Sequence, residues 1–398
     1  MKNSCIFVPR ILLPQPDADM TAWAVIACDQ HTSDRAYWSA LDALVGDKPS
    51  TLRLTLPEVY LEDADCPARI AKIAETMRDY RARGVFRTLP PGFVLVQRTA
   101  PGMPVRTGIV LAVDLEAYSF EKQSDALIRA TEATILERIP PRLKIREAAD
   151  IEFPHILLLY EDMQGAVAAA ARSHRSGTLY DFALNMGGGR IRGDFIADVQ
   201  PVLDAFAGLV RDGLLFMVGD GNHSLATAKA AWERCKAGLS EAERAVHPAR
   251  FALCEAVNIY DQGIRFEAIH RLVKGVDPDD FARGLRPFGR AEGGLCVHGR
   301  KIPLGVAEEV PAAVAAVDAY IDEYMLRKGG SVDFVHGEEA VRAYTEEHPD
   351  SAGILLPAME KSSLFGLVKR GGSLPRKTFS MGESEEKRYY VEGKEIRA

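Results

Sequence analysis

The stretch "LLFMVGDGNHSLATAKAAW", residues 214–232, decides the fold class. It opens with an apolar run of the length of a buried strand, and Gly221 in the polar turn that follows can adopt a positive φ. The apolar residues that then recur at helical spacing are Leu225, Ala228, Trp232 and Cys235. The pattern predicts a strand, a tight turn and a helix that begins at about 222–224, with Asp220 or Asn222 as its cap.

The composition is that of a globular protein that is not a general nucleic-acid binder. The chain has 398 residues, 47% hydrophobic and 26% charged, with a formal net charge of −7, whereas nucleic-acid binders usually carry a basic domain or stripe. No segment approaches the ~20 apolar residues that span a bilayer, and no signal-peptide pattern is visible. The six cysteines contain no CxxC pair, which favours reduced structural thiols. We therefore expect a cytoplasmic protein with neither nucleic acid nor membrane as partner, and a homo-oligomer stays open.

Strand-length apolar runs alternate with amphipathic segments along the whole chain, which favours α/β architecture. Strands are predicted at 23–28, 93–99, 107–115, 155–162, 214–220, 331–337 and 352–358. Helices are predicted at 68–84, 124–139, 197–213, 338–348 and around 361–372. The expected fold is a mixed sheet with covering helices, in three α/β portions at 1–115, 116–275 and 276–398. The last portion is either a second α/β lobe or a continuation of the same sheet.

The polar turn carries the first candidate site. The first turn of a helix has free backbone N–H groups and a partial positive charge, so it binds anions well. The residues that we expect to hold a phosphate there are Gly219, Asp220, Gly221, Asn222 and Ser224. His223 is a candidate proton donor or acceptor, and Asp220 is a candidate metal ligand. A capped helix with one partly buried histidine explains the same residues without a ligand.

A second strand end has the same design. In "ACDQHTSDRAYW", residues 27–38, an apolar strand breaks into Asp29 and His31 before a helix that Thr32 or Ser33 would cap. Because α/β sheets collect ligands at strand ends, we expect Asp29 and His31 to form another wall of the same site. Helix capping alone is the alternative.

A basic segment at 129–147 is a candidate wall for phosphate groups, because arginine makes bidentate contacts to phosphate. Its selected cations are Arg129, Arg138, Arg142 and Lys144. Glu132 lies at helical spacing from Arg129, so a solvated helix face with paired charges explains this segment as well.

A second pair of cations, Arg376 and Lys377, lies in "LPRKTFSMGE" at 374–383, where a surface turn is the competing explanation. His155 and His270 are flanked by apolar residues, a setting more typical of core or strand-end histidines than of ligands.

Five segments resemble one bacterial family over nearly the whole chain. The segments are "YSFEKQSDALIRATEATILERIPPRLKIRE", "GDGNHSLATAKAAWE", "HPARFALCEAVNIYD", "FEAIHRLV" and "LPRKTFSMGESEEKRYY". The family is catalogued as domain of unknown function 1015, a description without an activity. Many members carry Asp-Gly-His-His-Arg at Asp220–Ser224, which is similar to the phosphate-binding box of the ParB/sulfiredoxin-like superfamily. This chain has Asn222 for the first histidine, keeps His223, and has Ser224 for the arginine.

The resemblance implies a ParB/sulfiredoxin-like core element and phosphoryl chemistry on serine or O-phosphoserine. Some members of that superfamily are nucleotide-dependent kinases of free serine, and the family tends to be associated with serine-biosynthesis genes. The leading hypothesis is therefore a nucleotide-dependent kinase of free serine that uses ATP or ADP as phosphoryl donor and Mg²⁺ as cofactor.

In this hypothesis the catalytic candidates are Asp29, His31, Glu132 and His223. Asp29 or Glu132 would orient or deprotonate the attacking hydroxyl, and Asp220 would help to place Mg²⁺. Because Ser224 replaces a cation, two alternatives stay open. One is hydrolysis of phosphoserine or another phosphomonoester with His223 as acid or base, and the other is a non-catalytic sensor of a phosphorylated metabolite. The cation that completes the pocket would be Arg138, Arg142 or Lys377.

Overall fold

A computed structural model shows two compact units. It describes residues 4–134, 139–382 and 386–397. The first unit contains the described residues up to Ile264 together with 386–397, and the second contains Arg265–Gly382. The chain therefore leaves the first unit and returns to it, a division that differs from the three consecutive portions expected from the sequence.

Helices and strands alternate along the chain. In chain order, the strands are β1 (Ile6–Phe7), β2 (Arg10–Pro14), β3 (Val25–Ile26), β4 (Phe86–Pro91), β5 (Phe93–Thr99), β6 (Arg106–Asp114), β7 (Tyr118–Ser119), β8 (Ile128–Ala130), β9 (Ile151–Glu152), β10 (Leu157–Tyr160), β11 (Arg175–Ala183), β12 (Arg190–Ile196), β13 (Phe216–Asp220), β14 (Phe251–Asn258), β15 (Ile269–Lys274), β16 (Ala291–Val297), β17 (Arg300–Val306), β18 (Ser331–His336), β19 (Ser351–Leu355), β20 (Tyr389–Tyr390) and β21 (Lys394–Glu395). The helices are α1 (Met20–Trp23), α2 (Arg35–Val45), α3 (Cys66–Ala82), α4 (Ile139–Ala148), α5 (Ala166–Ser173), α6 (Gln200–Ala207), α7 (Asn222–Lys236), α8 (Glu241–Val246), α9 (Pro278–Gly284), α10 (Val310–Lys328), α11 (Glu338–Glu347) and α12 (Leu364–Gly371). Short 3₁₀ turns lie at Thr51–Arg53, Glu58–Tyr60, Leu115–Ala117, Pro248–Arg250 and Lys361–Ser363.

A large mixed sheet forms the first unit, as the sequence pattern predicts. Its strand order is β11-β12-β5-β6-β14-β10-β13-β8-β7, and β1 pairs with β6. β10 runs parallel to β14, and β8 runs parallel to both β13 and β7. The other pairs of this sheet are antiparallel. The α/β class with a mixed sheet and covering helices is thus confirmed.

Both faces of this sheet are covered, because successive residues of its central strands enter two different cores. In β5, Val94 and Val96 belong to the core that also contains apolar residues of α2 and α3. Phe93 and Leu95 belong to the core that contains apolar residues of α6 and α7. Strands buried on both faces are apolar along their whole length, which explains the unbroken apolar runs in the sequence.

The register of β10 and β13 brings polar strand ends together. Leu157, the first residue of β10, pairs with Asp220, the last residue of β13. His155 therefore lies beside the turn that opens α7. Because β8 is parallel to β13, Glu132 leaves the sheet at the same edge as Asp220.

Residues 386–397 return to the first unit and pair with strands from early in the chain. β20 pairs with β3, with Tyr390 opposite Val25, and β21 pairs with β9. Trp23 donates from Nε1 to the carbonyl of Val391 at 3.0 Å. This returning segment is held by backbone and side-chain bonds alike, which fixes the side chains that it carries.

The second unit has its own antiparallel sheet, in the order β17-β16-β19-β15-β18. Val341 of α11 packs against Leu272, Cys296 and Leu355 of three of these strands. The strands and helices that the sequence predicts between 331 and 372 are present as β18, α11, β19 and α12. This unit is therefore a second α/β lobe and not a continuation of the large sheet.

The prediction of one helix at 124–139 is wrong. Residues Ile128–Ala130 form strand β8, and the helix α4 spans Ile139–Ala148 with Pro140 and Pro141 inside it. Proline is tolerated in the first turn of a helix, where its missing N–H needs no partner. The two prolines thus lie near the start of a helix, where the sequence reading placed an end.

No helix in the described ranges is long and apolar enough to cross a bilayer. The six cysteines are free thiols, and Cys5, Cys254 and Cys296 are buried. Cys28 is half-buried and lies at the site described next.

Candidate functional site

Gly221 shapes the turn between β13 and α7. Its φ of 77° is left-handed, and a Cβ at this position would lie 3.0 Å from Cα of Ile156. Glycine accommodates both constraints without strain. Gly221 itself is the N-cap residue and no side chain caps α7, so the predicted capping by Asp220 or Asn222 is wrong. The backbone N–H groups at the start of this helix are suited to bind an anion.

His155 is the centre of the site, and side chains from three other segments reach it. Its Nε2 lies 3.1 Å from Oγ of Ser224 in α7 and 3.3 Å from Oδ2 of Asp29, which follows β3. Its Nδ1 lies 2.9 Å from Oη of Tyr390 in β20. The imidazole is buried, and His155 lies two residues before β10. Both ring nitrogens are therefore held by polar groups.

Asp29 and His155 form an ion pair. Burial raises the pKa of Asp29, but the charge of His155, hydrogen bonds and the charge of Lys387 together lower it below its ordinary value of 3.8. Burial lowers the pKa of His155, but the charge and hydrogen bond of Asp29, with a smaller contribution from Asp220, raise it above 6.5. Both shifts favour the charged forms of the pair, an ionised Asp29 and a protonated imidazole.

Tyr390 holds the second nitrogen of this imidazole. Its Oη accepts from the backbone N–H of Cys28 at 3.0 Å, and burial raises its pKa well above the ordinary value, so the phenol stays neutral. In the protonated ring, Nδ1–H of His155 donates to Oη, and Nε2–H is directed at Asp29 and Ser224. The ring orientation follows from these contacts.

Asp220 pairs with a lysine from the returning segment. Its Oδ2 lies 3.2 Å from Nζ of Lys387, and its Oδ1 accepts from the N–H of Gly221 at 2.9 Å. Both oxygens are thus engaged. Within 4–134, 139–382 and 386–397, no group of three or more His, Cys, Asp or Glu side chains could hold a metal ion. This donor set does not fit a Mg²⁺ ion held by the protein alone.

A cleft of about 150 Å³ adjoins the imidazole. Its polar lining comes from Cys28, Thr55, Glu58, Arg142, Arg146, Glu152, His155, Ser224, Thr227 and Tyr390. Most of the remaining lining is apolar and comes from α3, α4 and the chain around β9. A cavity of this size holds a molecule as large as benzene, so the enclosed space suits a small molecule or one part of a larger one.

Two arginines of α4 line this cleft, and each pairs with a glutamate. Arg142 donates from Nε at 2.9 Å and also from Nη2 to Oε1 of Glu58. The backbone N–H of Glu58 donates to the carbonyl of Cys28 at 2.8 Å, which places this pair beside the Asp29 loop. Arg146 donates to Glu152 at 2.7 Å.

The structure brings several of the predicted site residues together. Asp29, Ser224 and Asp220 surround or adjoin His155, and Arg142 lines the same cleft. Gly219 and Gly221 form the strand end and the turn. Asn222 is the first residue of α7, and its buried Oδ1 has no hydrogen-bond partner among the described residues.

Other predicted residues lie at the same sheet edge but do not line the cleft. Arg129 lies in β8, where Nε donates to the carbonyl of Ala126 at 2.9 Å. Glu132 is half-buried just beyond β8. His223 is the second residue of α7, and its carbonyl accepts from Oγ1 of Thr227 at 2.7 Å. Catalytic roles for Glu132 and His223 stay predictions.

His31 has a structural environment in the loop before α2. Its φ is 50°, its ring stacks on Tyr37 at 3.7 Å between centroids, and its carbonyl accepts from Nε1 of Trp38 at 3.2 Å. The predicted cap of α2 by Thr32 or Ser33 is wrong, because the side chain of Asp34 caps this helix. A catalytic role for His31 stays a prediction.

Four further cations were predicted as phosphate ligands. Lys144 is on the exposed side of α4, and Arg138 lies outside the described residues. Arg376 and Lys377 belong to the second unit, where their carbonyls accept from the buried Arg271. A phosphate-binding role for Arg376 and Lys377 stays a prediction.

Four residues of the site were missed or underrated by sequence reasoning. His155 has an apolar neighbourhood in "FPHILLL", which predicts a core residue and conceals its position at a strand start. Tyr390 and Lys387 lie about 165 residues beyond the turn at Gly221, and Glu58 lies in a 3₁₀ turn. The nearest signal was "EKRYY" in a segment that carries the family resemblance.

Comparisons with known proteins identify a family and several distant folds. The family model described as "Protein of unknown function (DUF1015)" matches residues 9–370. No curated protein matches the chain. A solved structure of a conserved hypothetical protein from Pyrococcus furiosus is 15% identical with a TM-score of 0.38, and the match covers 72% of this chain and 95% of that one.

Two further solved structures have similar scores. C-terminally truncated SbnI from Staphylococcus aureus is 12% identical with a TM-score of 0.37, covering 69% of this chain and 82% of that one. A free serine kinase in complex with AMP is 12% identical with a TM-score of 0.40, covering 72% of this chain and 91% of that one.

Proposed function

The chain belongs to the DUF1015 family, whose description names no activity, and we propose from its site chemistry that it transfers a phosphoryl group from a nucleotide to the hydroxyl of free serine. The observation that carries this proposal is the convergence of Asp29 and Ser224 on His155 at the start of α7. A base, a proton-bearing cation and a helix N-terminus then lie within reach of one small molecule. The sequence resemblance to a superfamily that includes serine kinases supports the same reaction.

Asp29 is the base in this reaction. It is ionised at neutral pH, because the His155 and Lys387 charges lower its pKa. As the serine oxygen bonds to the terminal phosphorus of the nucleotide, the hydroxyl proton passes to Asp29. The bond from that phosphorus to the bridging oxygen breaks, and its electron pair leaves with the shortened nucleotide. Phosphoryl transfer has a loose transition state, so the carboxylate mainly orients the hydroxyl and accepts the proton late.

The transferred phosphoryl group is stabilised by donors at the start of α7. The helix N-terminus, Oγ of Ser224 and Nε2–H of His155 are suited to its equatorial oxygens. Lys387, beside Asp220, supplies the cation that the superfamily signature carries as arginine. A Mg²⁺ ion bound to the nucleotide would enter as part of that substrate.

Phosphorus NMR of the purified chain tests this function. Wild type with Mg²⁺, serine and either ATP or ADP should form phosphoserine. The variant Asp29→Asn should lose about 10²–10⁴-fold in kcat, the usual contribution of a positioned acid or base. Asp79→Asn is the matched control, because Asp79 pairs with Arg83 on the exposed side of α3. Equal turnover in Asp29→Asn and wild type would contradict the role of Asp29.

The same experiment separates the two alternative functions. Release of inorganic phosphate from phosphoserine without nucleotide would support a phosphatase and contradict the kinase. Thermal stabilisation by phosphoserine with no turnover under any of these conditions would support a sensor.

A further inference from the structure

We propose that Glu58 and Arg142 recognise the two charges of a zwitterionic amino-acid substrate, an assignment that rests on the proposed function. Glu58 would bind the α-ammonium group and Arg142 the α-carboxylate, with the serine hydroxyl directed toward Asp29. Arg142, which the sequence suggested as a phosphate ligand, would thereby bind the amino-acid substrate and not the nucleotide.

The geometry of the Glu58–Arg142 pair allows a substrate to replace part of their mutual contact. Nε and Nη2 of Arg142 donate to the same oxygen of Glu58, Oε1. The other oxygen, Oε2, accepts no hydrogen bond from the described residues, so an ammonium group can bind there. A guanidinium presents a planar fork that matches a carboxylate in two bonds. An entering α-carboxylate could therefore take over the contact that Glu58 now makes.

The neighbouring pair of Arg146 and Glu152 is less accessible to a ligand. The side chain of Glu152 is 4% exposed, and its Oε1 accepts from the N–H of Leu253 at 2.8 Å. The side chains of Glu58 and Arg142 are 17% and 16% exposed in the same cleft. Glu152 is therefore committed to the fold, whereas Glu58 and Arg142 are accessible to a ligand.

The charge balance of the cleft also favours a zwitterion. Each charged side chain in its lining has a partner of opposite sign: Glu58 with Arg142, Glu152 with Arg146 and also Lys394, and His155 with Asp29. A ligand with one carboxylate and one ammonium keeps this balance, whereas a ligand of a single sign leaves a charge uncompensated in a poorly solvated place. The enclosed volume of about 150 Å³ also suits an amino acid as small as serine.

Substrate analogues that lack one charge provide the test. Ethanolamine is serine without the carboxylate, and 3-hydroxypropionate is serine without the ammonium group. We expect wild type to prefer serine over each by on the order of 100-fold in kcat/KM, since each analogue leaves one charged partner unpaired. Arg142→Gln should collapse the serine-to-ethanolamine ratio, and Glu58→Gln should collapse the serine-to-3-hydroxypropionate ratio.

Binding without nucleotide separates this assignment from the kinase activity. Serine alone should raise the Tm of wild type and of the control Arg234→Gln, an exposed arginine paired with Glu147. It should not raise the Tm of Glu58→Gln or Arg142→Gln, nor fully that of Arg142→Lys, which keeps the charge but loses the fork. These results would support the assignment even if no phosphoryl transfer occurs.

Three outcomes would overturn it. The two ratios could stay at their wild-type values in folded variants. The variants could change the KM of the nucleotide and leave that of serine unaltered. Serine could stabilise all variants as it stabilises wild type. Any of these would leave the pair as a salt bridge between α4 and the 3₁₀ turn, while phosphoserine formation by wild type would still support the kinase.

Discussion

Replacing Tyr390 by phenylalanine should destabilise the fold and lower the pKa of His155. The change removes one oxygen, which accepts from Cys28 N–H at 3.0 Å and lies 2.9 Å from Nδ1 of His155. Both partners then lose a hydrogen bond in a buried place. Leaving a buried donor unpaired costs about 1–3 kcal/mol, so two donors, one of them half-buried, amount to about 2–4 kcal/mol of unfolding free energy.

The substitution should also lower the pKa of His155, because the protonated ring loses the acceptor of its Nδ1–H. Urea unfolding followed by tryptophan fluorescence measures the first effect, and NMR titration of the imidazole measures the second. The matched control is Tyr389→Phe on the same strand, where Oη donates to the carbonyl of Asn185 at 3.2 Å. It should cost about 1 kcal/mol and leave the titration of His155 in place. Equal losses in both variants, or an unshifted titration of His155 in Tyr390→Phe, would refute the reasoning.

Three further predictions concern the same site. Gly221→Ala should cost about 1–3 kcal/mol by urea unfolding, because a left-handed residue with Cβ costs about 1–2 kcal/mol and this Cβ also meets Ile156; an unchanged midpoint would contradict the turn geometry. Lys387→Ala should raise the pKa of Asp29, which carboxyl NMR can follow, because one of the charges that lowers it is removed. The attraction between Asp29 and His155 contributes fully between about pH 3.8 and 6.5. This attraction is lost as pH falls through the lowered pKa of Asp29 or rises through the raised pKa of His155. The unfolding free energies of wild type and Asp29→Asn should therefore converge on the alkaline side. A difference between them that is constant with pH would count against the ion pair.

Much of the fold could be predicted, because local pattern and tertiary burial agree. The unbroken apolar runs of β5 and β6 and the helical spacing after Gly221 encode burial, so these elements appear where the sequence predicts them. The helix predicted at 124–139 is wrong because Ile128–Ala130 pair with β13 as strand β8, despite their helical periodicity. Pro140 and Pro141 lie in the first turn of α4, because only the first turn of a helix tolerates proline.

The candidate site was only partly predictable. Asp29 and Ser224 carry local signals, since each follows a strand end at a helix start. His155 does not, because an apolar neighbourhood is the same for a core histidine and for one whose ring turns toward a cleft. Tyr390 and Lys387 reach the site only through the pairing of β20 with β3, a long-range contact that no local pattern in one sequence encodes.

The return of the chain to its first unit has a consequence for biosynthesis. A ribosome releases the first unit as far as Ile264, and must then make roughly 120 residues of the second unit, which takes on the order of 6–24 s at ordinary elongation rates, before 386–397 emerge. Throughout that interval β3 lacks its neighbour and His155 lacks its phenol partner. The nascent first unit thus has an exposed strand edge, and its site is completed only after the second unit has been made.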